Sequence, residues 1–288
     1  MPINFYNPDI FYHKKSYGKR AVLKKLYNLV CKHFRYCIII IQVLPIGCRY
    51  KEPKINKFEF FKLKYAQAIN HYRSPNDSLK LKALYFILRN LDDQFYYQSK
   101  WINAYGYAIS KVKNISINDL TQKRDSILSI YPKTSKRIKD ADVITNSYLI
   151  RNIDKAFESS NNLWIKDLDF NDFCEYVLPY KIGNEKPDNW GQCLKNESYL
   201  LPDSLKHVKD IFEASIYINE HLKWYSGTLN YDYPIDVGYD ITRHVGTGTC
   251  YSMSRMIAFQ ARALGLPVSI DYAPAWGNRS DGHSWNVL

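Results

Sequence analysis

Cys250 closes the glycine-rich run GTGTC (246–250), and His283 opens HSWNVL (283–288), 33 residues further on. A thiol attacks as its thiolate, and an imidazole is the side chain best suited to take the thiol proton and return it to a leaving amine. The chemistry open to such a pair is acyl transfer through a thioester. The elements around the two residues are those the chemistry needs. Met253, Met256, Ile257, Gln260, Ala261 and Leu264 recur at three- and four-residue steps, which predicts a helix opening at or just after Cys250. Gly265 ends it and Pro267 forbids its return. Backbone amides and the macrodipole at a helix start favour a thiolate, and the glycines before it let a substrate approach and leave N–H groups for an oxyanion. VSIDY (268–272) alternates as a strand, APAWGNRSDG is a loop, and HSWNVL alternates again with His283, Trp285 and Val287 on one face. The histidine is expected to face the cysteine, with Trp285 shielding the pair from water.

Upstream, the pattern is helical. FEFFKLKYAQAINHY (58–72) carries Phe58, Phe61, Leu63, Tyr65, Ala68 and Ile69 near one face, and SPND (74–77) is a turn and cap. SLKLKALYFILRNLDDQFYY continues the period through Leu81, Leu84, Ile87, Leu88 and Leu91. Further helices are predicted over 117–130, 145–159 and 204–223, the second with Leu149, Ile150, Ile153 and Phe157 in register. Residues 167–190 read as a short helix with an acidic cap near Asp172, then an irregular loop. Tyr180, Glu185 and Trp190 on that loop line a cleft or cover the surface.

The strings G-T-C, R-A-L-G-L-P-V and H-S-W-N resemble the transglutaminase-like (transglutaminase/protease) superfamily, which has a papain-like cysteine fold. The resemblance rests on Gly248, Cys250, Arg262, Ala263, Leu264, Gly265, Leu266, Pro267, His283, Trp285 and Asn286. SYLIRNIDKAF and FCEYVLPY look like the region preceding this domain in lipidated bacterial members. The resemblance implies an α+β fold: a helical N-terminal region (48–165) packed on an incomplete papain-like transglutaminase core (166–288), made of the Cys helix plus antiparallel strands. It implies Cys250 as nucleophile, His283 as general base and acid, and a triad Asp on a later strand, beyond Leu288. Neither Asp271 nor Asp281 stands at that position, so the chain reads as ending before the triad is complete. The Cys250 amide is expected in the oxyanion hole, with Trp190 and Gln192 as candidates for the second donor and Gly248 and Trp285 along the cleft. Water as acceptor makes a peptidase or amidase, the preferred reading; a lysine amine makes a crosslinking transglutaminase. The alternative is a catalytically defective cell-envelope module that binds peptide or glycan. No metal or organic cofactor is implied.

Residues 1–47 hold eight Lys/Arg and one acid, Asp9, a charge of +7; the other 241 residues, with 32 basic and 27 acidic side chains, add only +5. The basic excess is thus a leader property, and with no basic helical stripe or zinc-finger spacing nucleic acid is not expected as a partner. YCIIIIQVLPIGC (36–48) is too short to span a bilayer, which takes about 20 apolar residues. It has the length of a signal-peptide h-region, and P-I-G-C resembles a lipoprotein signal with Cys48 as the lipidated residue. The other reading of IIIIQVL is a buried strand of an ordinary cytoplasmic domain; the signal reading is preferred. The signal reading places the mature protein at the bacterial cell envelope, held to a membrane by a lipid anchor. Among the other cysteines, a Cys174–Cys193 disulfide is open, and oligomeric state is not indicated.

Overall fold

In the computed structural model, residues 56–111, 117–131, 134–159, 168–194, 207–222, 225–226, 236–245, 247–275, 277 and 282–288 are described. The leader with its apolar run and Cys48 lies outside them, as does Asp281. Among the described residues, no helix is long and apolar enough to cross a membrane.

Asn56 accepts the Phe58 amide and starts α1 (Lys57–Lys64). The expected single helix over 58–72 is broken at Tyr65, and α2 (Ala66–His71) follows. The buried face is Phe61, Tyr65, Ala68 and Tyr72, whereas Leu63 is exposed. Ser74 caps a turn at Pro75–Asp77, and α3 (Ser78–Asn90) buries Ala83, Leu84, Ile87 and Leu88. The helical reading through FYY is corrected at this point. LDD forms a tight turn, and β1 (Phe95–Gln98) pairs antiparallel with β2 (Lys136–Lys139). Successive aromatics suit a pleated strand better than a helix. Between them run α4 (Lys100–Ser110) and α5 (Ile117–Ile130), joined through Trp101, Tyr105, Ile127 and Leu128. α6 (Asn146–Ser159) buries Leu149, Ile153 and Ala156.

Asp169, not Asp172, caps the next short helix, accepting the Asn171 amide at 2.7 Å. That helix, α7 (Phe170–Asp172), widens into a π-turn over Phe173–Val177. Phe173, Cys174, Val177, Leu178 and Tyr180 share one apolar cluster with Leu84, Leu88, Leu149 and Ile153, so the helical region and the chain after residue 166 have a common core. Each fully buried leucine there contributes about 1.5–3 kcal/mol.

The remaining elements are α8 (Trp190–Leu194), α9 (Ile211–His221), the pair β3 (Tyr225–Ser226) and β4 (Thr247–Gly248), α10 (Tyr239–Val245), α11 (Cys250–Ala263), β5 (Ser269–Ala273) and β6 (His283–Val287). The expected helix over 204–223 begins only at Ile211, because Asp210 accepts the Phe212 and Glu213 amides and fixes the start. β3 and β4 are parallel; β5 and β6 are antiparallel. Among the described residues, helices and three two-stranded sheets make an α+β architecture, within one compact unit spanning Lys54–Leu288.

Candidate active site

Cys250 is the first residue of α11 and is half-buried. Thr249 is its N-cap. Its hydroxyl accepts the Ser252 amide at 3.3 Å and its carbonyl accepts the Met253 amide at 3.0 Å. Helix geometry leaves the Cys250 and Tyr251 amides without intrahelical acceptors. They are the two donors best placed for charge developing beside the sulfur. Gly248, two residues earlier, ends β4 alongside Ser226. Cys174 differs in kind: it is a free thiol, buried among the core aromatics, and burial followed by the Glu175 charge pushes it up to about 11.

α11 stops where sequence places its end. Gly265 takes φ 79°, and the Leu266 amide donates to the Ala261 carbonyl at 2.9 Å. The chain then runs back along the helix as β5, with Val268 packed among Ala258, Ala261 and Leu264. β6 returns beside it in the register Ile270↔Asn286 and Ala273↔His283. The Asn286 side chain donates to the Ser254 carbonyl at 2.9 Å, fixing the hairpin one turn from Cys250. β6, which His283 opens, therefore lies along α11.

The expectation that His283 faces the helix is corrected by the strand's alternation. Asn286 and the buried Ser284 turn toward α11; His283 and Trp285 stand on the other face. Their rings stack with centroids 6.0 Å apart and planes at 26°, so Trp285 does cover one side of the imidazole.

Trp190 is not offered to Cys250. Its indole N–H donates to the Tyr180 carbonyl at 2.8 Å, and its ring lies 5.3 Å from Phe259, midway along α11. Gln192 is within α8, and its side chain lies outside the described residues. Nor do Tyr180 and Glu185 line a cleft. Both are buried and committed to ionic contacts: Tyr180 donates to Asp140 at 2.8 Å, where Lys181 also pairs at 2.6 Å.

The residues that sequence reasoning missed are those tying this loop to the cysteine helix. Arg255, one turn and a residue beyond Cys250, is 3% exposed. It donates to Glu185 at 2.9 Å and to the Val237 carbonyl at 2.9 Å, and lies 3.6 Å from Asp236. Glu185 accepts the Ile182 and Gly183 amides at 2.6 and 2.8 Å; Asp236 accepts the Asn184 amide at 2.6 Å. Burial pushes the Glu185 carboxyl up, but Arg255 and these amides outweigh it and hold the group below the ordinary carboxylate range. Asp188, three residues on, accepts the Trp190 amide at 3.0 Å but makes no ion pair among the described residues. Burial, then the Glu185 charge, lift it to about 7. Arg262 donates to the Lys181 carbonyl at 2.7 Å, and burial lowers it to about 10. The only sequence sign of this network was an arginine inside an apolar stripe.

No family model, curated protein or solved structure matches the chain. Among the described residues, no group of three His, Cys, Asp or Glu converges as a metal site would.

Proposed function

We propose that the chain is a transglutaminase-like thiol enzyme that performs acyl transfer on peptide or protein amides, built on a papain-like core. The observation supporting the reading is the Asn286 anchor, which holds β6, opened by His283, against the helix that Cys250 begins and whose geometry leaves the Cys250 and Tyr251 amides without intrahelical acceptors. His283 takes the Cys250 proton. The thiolate attacks the amide carbon, and the Cys250 and Tyr251 amides hold the oxyanion. Collapse expels the amine, which leaves with the proton from the imidazole, and a thioester remains. Water, activated by the same imidazole, then releases the acid; a lysine amine in its place gives a crosslink. Hydrolysis is the preferred outcome, since the half-buried Cys250 is open to water.

The test is the pH dependence of Cys250 alkylation by iodoacetamide. A catalytic pair keeps alkylating below pH 7. His283→Ala should return the profile to that of an ordinary thiol, and Cys250→Ser should abolish labelling at this site. A wild-type profile already like that of a free thiol sinks the reading in favour of a peptide- or glycan-binding module. Attachment at the cell envelope through a lipid on Cys48 belongs to the same proposal. Mass spectrometry of the membrane-bound form is its check, and an unmodified peptide running through residue 48 rules it out.

A further inference from the structure

Resting on the envelope-anchor part of that reading, we infer that the outer face of the β1–β2 sheet docks on an anionic phospholipid bilayer. The register pairs the buried Tyr96 with the half-buried Ile138, which puts Phe95↔Lys139 and Tyr97↔Arg137 on the other face. Contacts join these side chains into one patch. The Arg137 guanidinium carbon lies 3.6 Å from the centre of the Phe95 ring, and the Phe95 and Tyr97 rings meet edge to face at 5.4 Å. Lys139 donates to Asp92 at 2.8 Å, and Lys57, which opens α1, shares that carboxylate. The two lysine side chains stay 52% and 71% exposed. Lys136 and Arg137 are exposed and make no ion pair among the described residues. Against these four cations stand Asp92, already shared by two of them, and the exposed Asp93. The patch keeps a positive excess interleaved with aromatic rings.

Two observations choose a bilayer over other anionic partners. Cys48 precedes Lys57 by nine residues, so a lipid on it is tied within about 30 Å of the patch by chain length alone. The connecting stretch RYKEPKIN (49–56) adds Arg49, Lys51 and Lys54 against one acid, Glu52. Basic residues beside an anchor are drawn to anionic headgroups, and such a second signal turns a weak tether into stable attachment. The second observation is the apolar content of the surface. Phe95 and Tyr97 lie among the cations, and α1 leaves Phe60 40% and Leu63 73% exposed. Rings and aliphatic side chains of this kind enter the boundary between headgroups and acyl chains, where an acidic polypeptide or a free anion offers them nothing. The lipid tethers the chain, and this face sets how the folded unit stands on the membrane.

The experiment uses the full chain carrying Cys48→Ser, so that no acyl chain contributes, and reads co-sedimentation with two kinds of vesicle. One is phosphatidylcholine alone; the other is equal parts phosphatidylcholine and phosphatidylglycerol. Binding to the anionic vesicles is expected to be at least about tenfold tighter in 0.1 M salt. The difference should close in 1 M salt, where the screening length falls to about 3 Å. Lys136→Glu/Arg137→Glu/Lys139→Glu should remove the preference. Lys111→Glu/Lys186→Glu/Lys209→Glu, which reverses three exposed lysines elsewhere and gives the same net charge, should keep most of it. If the first triple variant alters the far-UV circular dichroism, Lys136→Gln/Arg137→Gln takes its place. No preference for anionic vesicles, or an equal loss in both reversals, overturns the inference. So does displacement from the vesicles by soluble polyglutamate, which would assign the face to an acidic polypeptide. Lipidation of Cys48 is read separately by mass spectrometry of the unaltered chain. An unmodified Cys48 removes the anchor, while the vesicle preference still decides what this face binds.

Discussion

The helical cluster around Leu84, Leu88, Leu149 and Ile153 and the segment around Cys250 are held together by different forces. The first is mainly an apolar core, with hydroxyl contacts such as Tyr72 donating to the Ile150 carbonyl at 3.0 Å and one buried ion pair, Lys181 with Asp140, at its border. The second has its own apolar cluster, but its loops are fastened by buried ions: Arg255 with Glu185 and Asp236, and Arg262 on backbone carbonyls. Apolar packing loses stability in proportion to the atoms removed. A buried ion pair fails abruptly when one partner is lost, because the other is left charged without water. The cysteine helix, with more of its fastening in ion pairs, is therefore the more fragile half against single charged-residue changes.

The largest expected loss comes from breaking the ionic side alone. Arg255→Ala leaves Glu185 buried without its counter-charge and beside the part-buried Asp236, and should cost about 3–5 kcal/mol in urea unfolding. The double variant Arg255→Ala/Glu185→Ala should lose less than the two single losses combined, since each single change already removes the shared contact. A strictly additive double variant would mean that the two regions are not held differently. The matching change in the helical cluster, Leu88→Ala, should cost about 2–5 kcal/mol with no dependence on pH between 5 and 8.

These two regions were also unequally legible. The helices over 78–90, 146–159 and 250–263 follow from apolar residues at three- and four-residue steps, a signal carried within each segment. The two strands after the cysteine helix follow from alternation, and their turn from Gly265. What could not be read is whatever depends on partners far apart. Arg255 and Glu185 are 70 residues apart, and Glu185 lies in an irregular loop that resembles surface covering. β1 and β2 are four residues each, separated by two helices, too short to outweigh the helical period before them. The face presented by His283 depends on which side of the hairpin meets α11. The contact made by Asn286 settles that, and no local pattern announces it.

Asp188 sharpens the comparison through pH. Its folded value of about 7 lies above its ordinary 3.8, so the folded protein binds the proton more tightly than the unfolded chain. Stability is full below pH 3.8 on this account and is lost as pH rises toward 7 and the buried carboxyl must ionise. Glu185 acts in the opposite sense: its lowered value adds stability at neutral pH that is lost on acidification. Asp188→Asn should therefore stabilise the protein at pH 8 by on the order of 1–3 kcal/mol, with the gain vanishing near pH 4. Thermal unfolding at the two pH values checks it; an equal gain at both would remove ionisation as the cause.

The smallest effect lies closest to the chemistry. Thr249→Ala removes the hydroxyl that accepts the Ser252 amide and should cost about 1 kcal/mol, as helix caps do. The same change adds a third uncommitted amide to the start of α11. If those amides stabilise charge on the Cys250 sulfur, alkylation below pH 7 should hold or rise in Thr249→Ala even as the melting temperature falls. Stability and thiol reactivity falling together would instead mean that the cap holds Cys250 in place, and that its geometry matters more than the number of free donors around it.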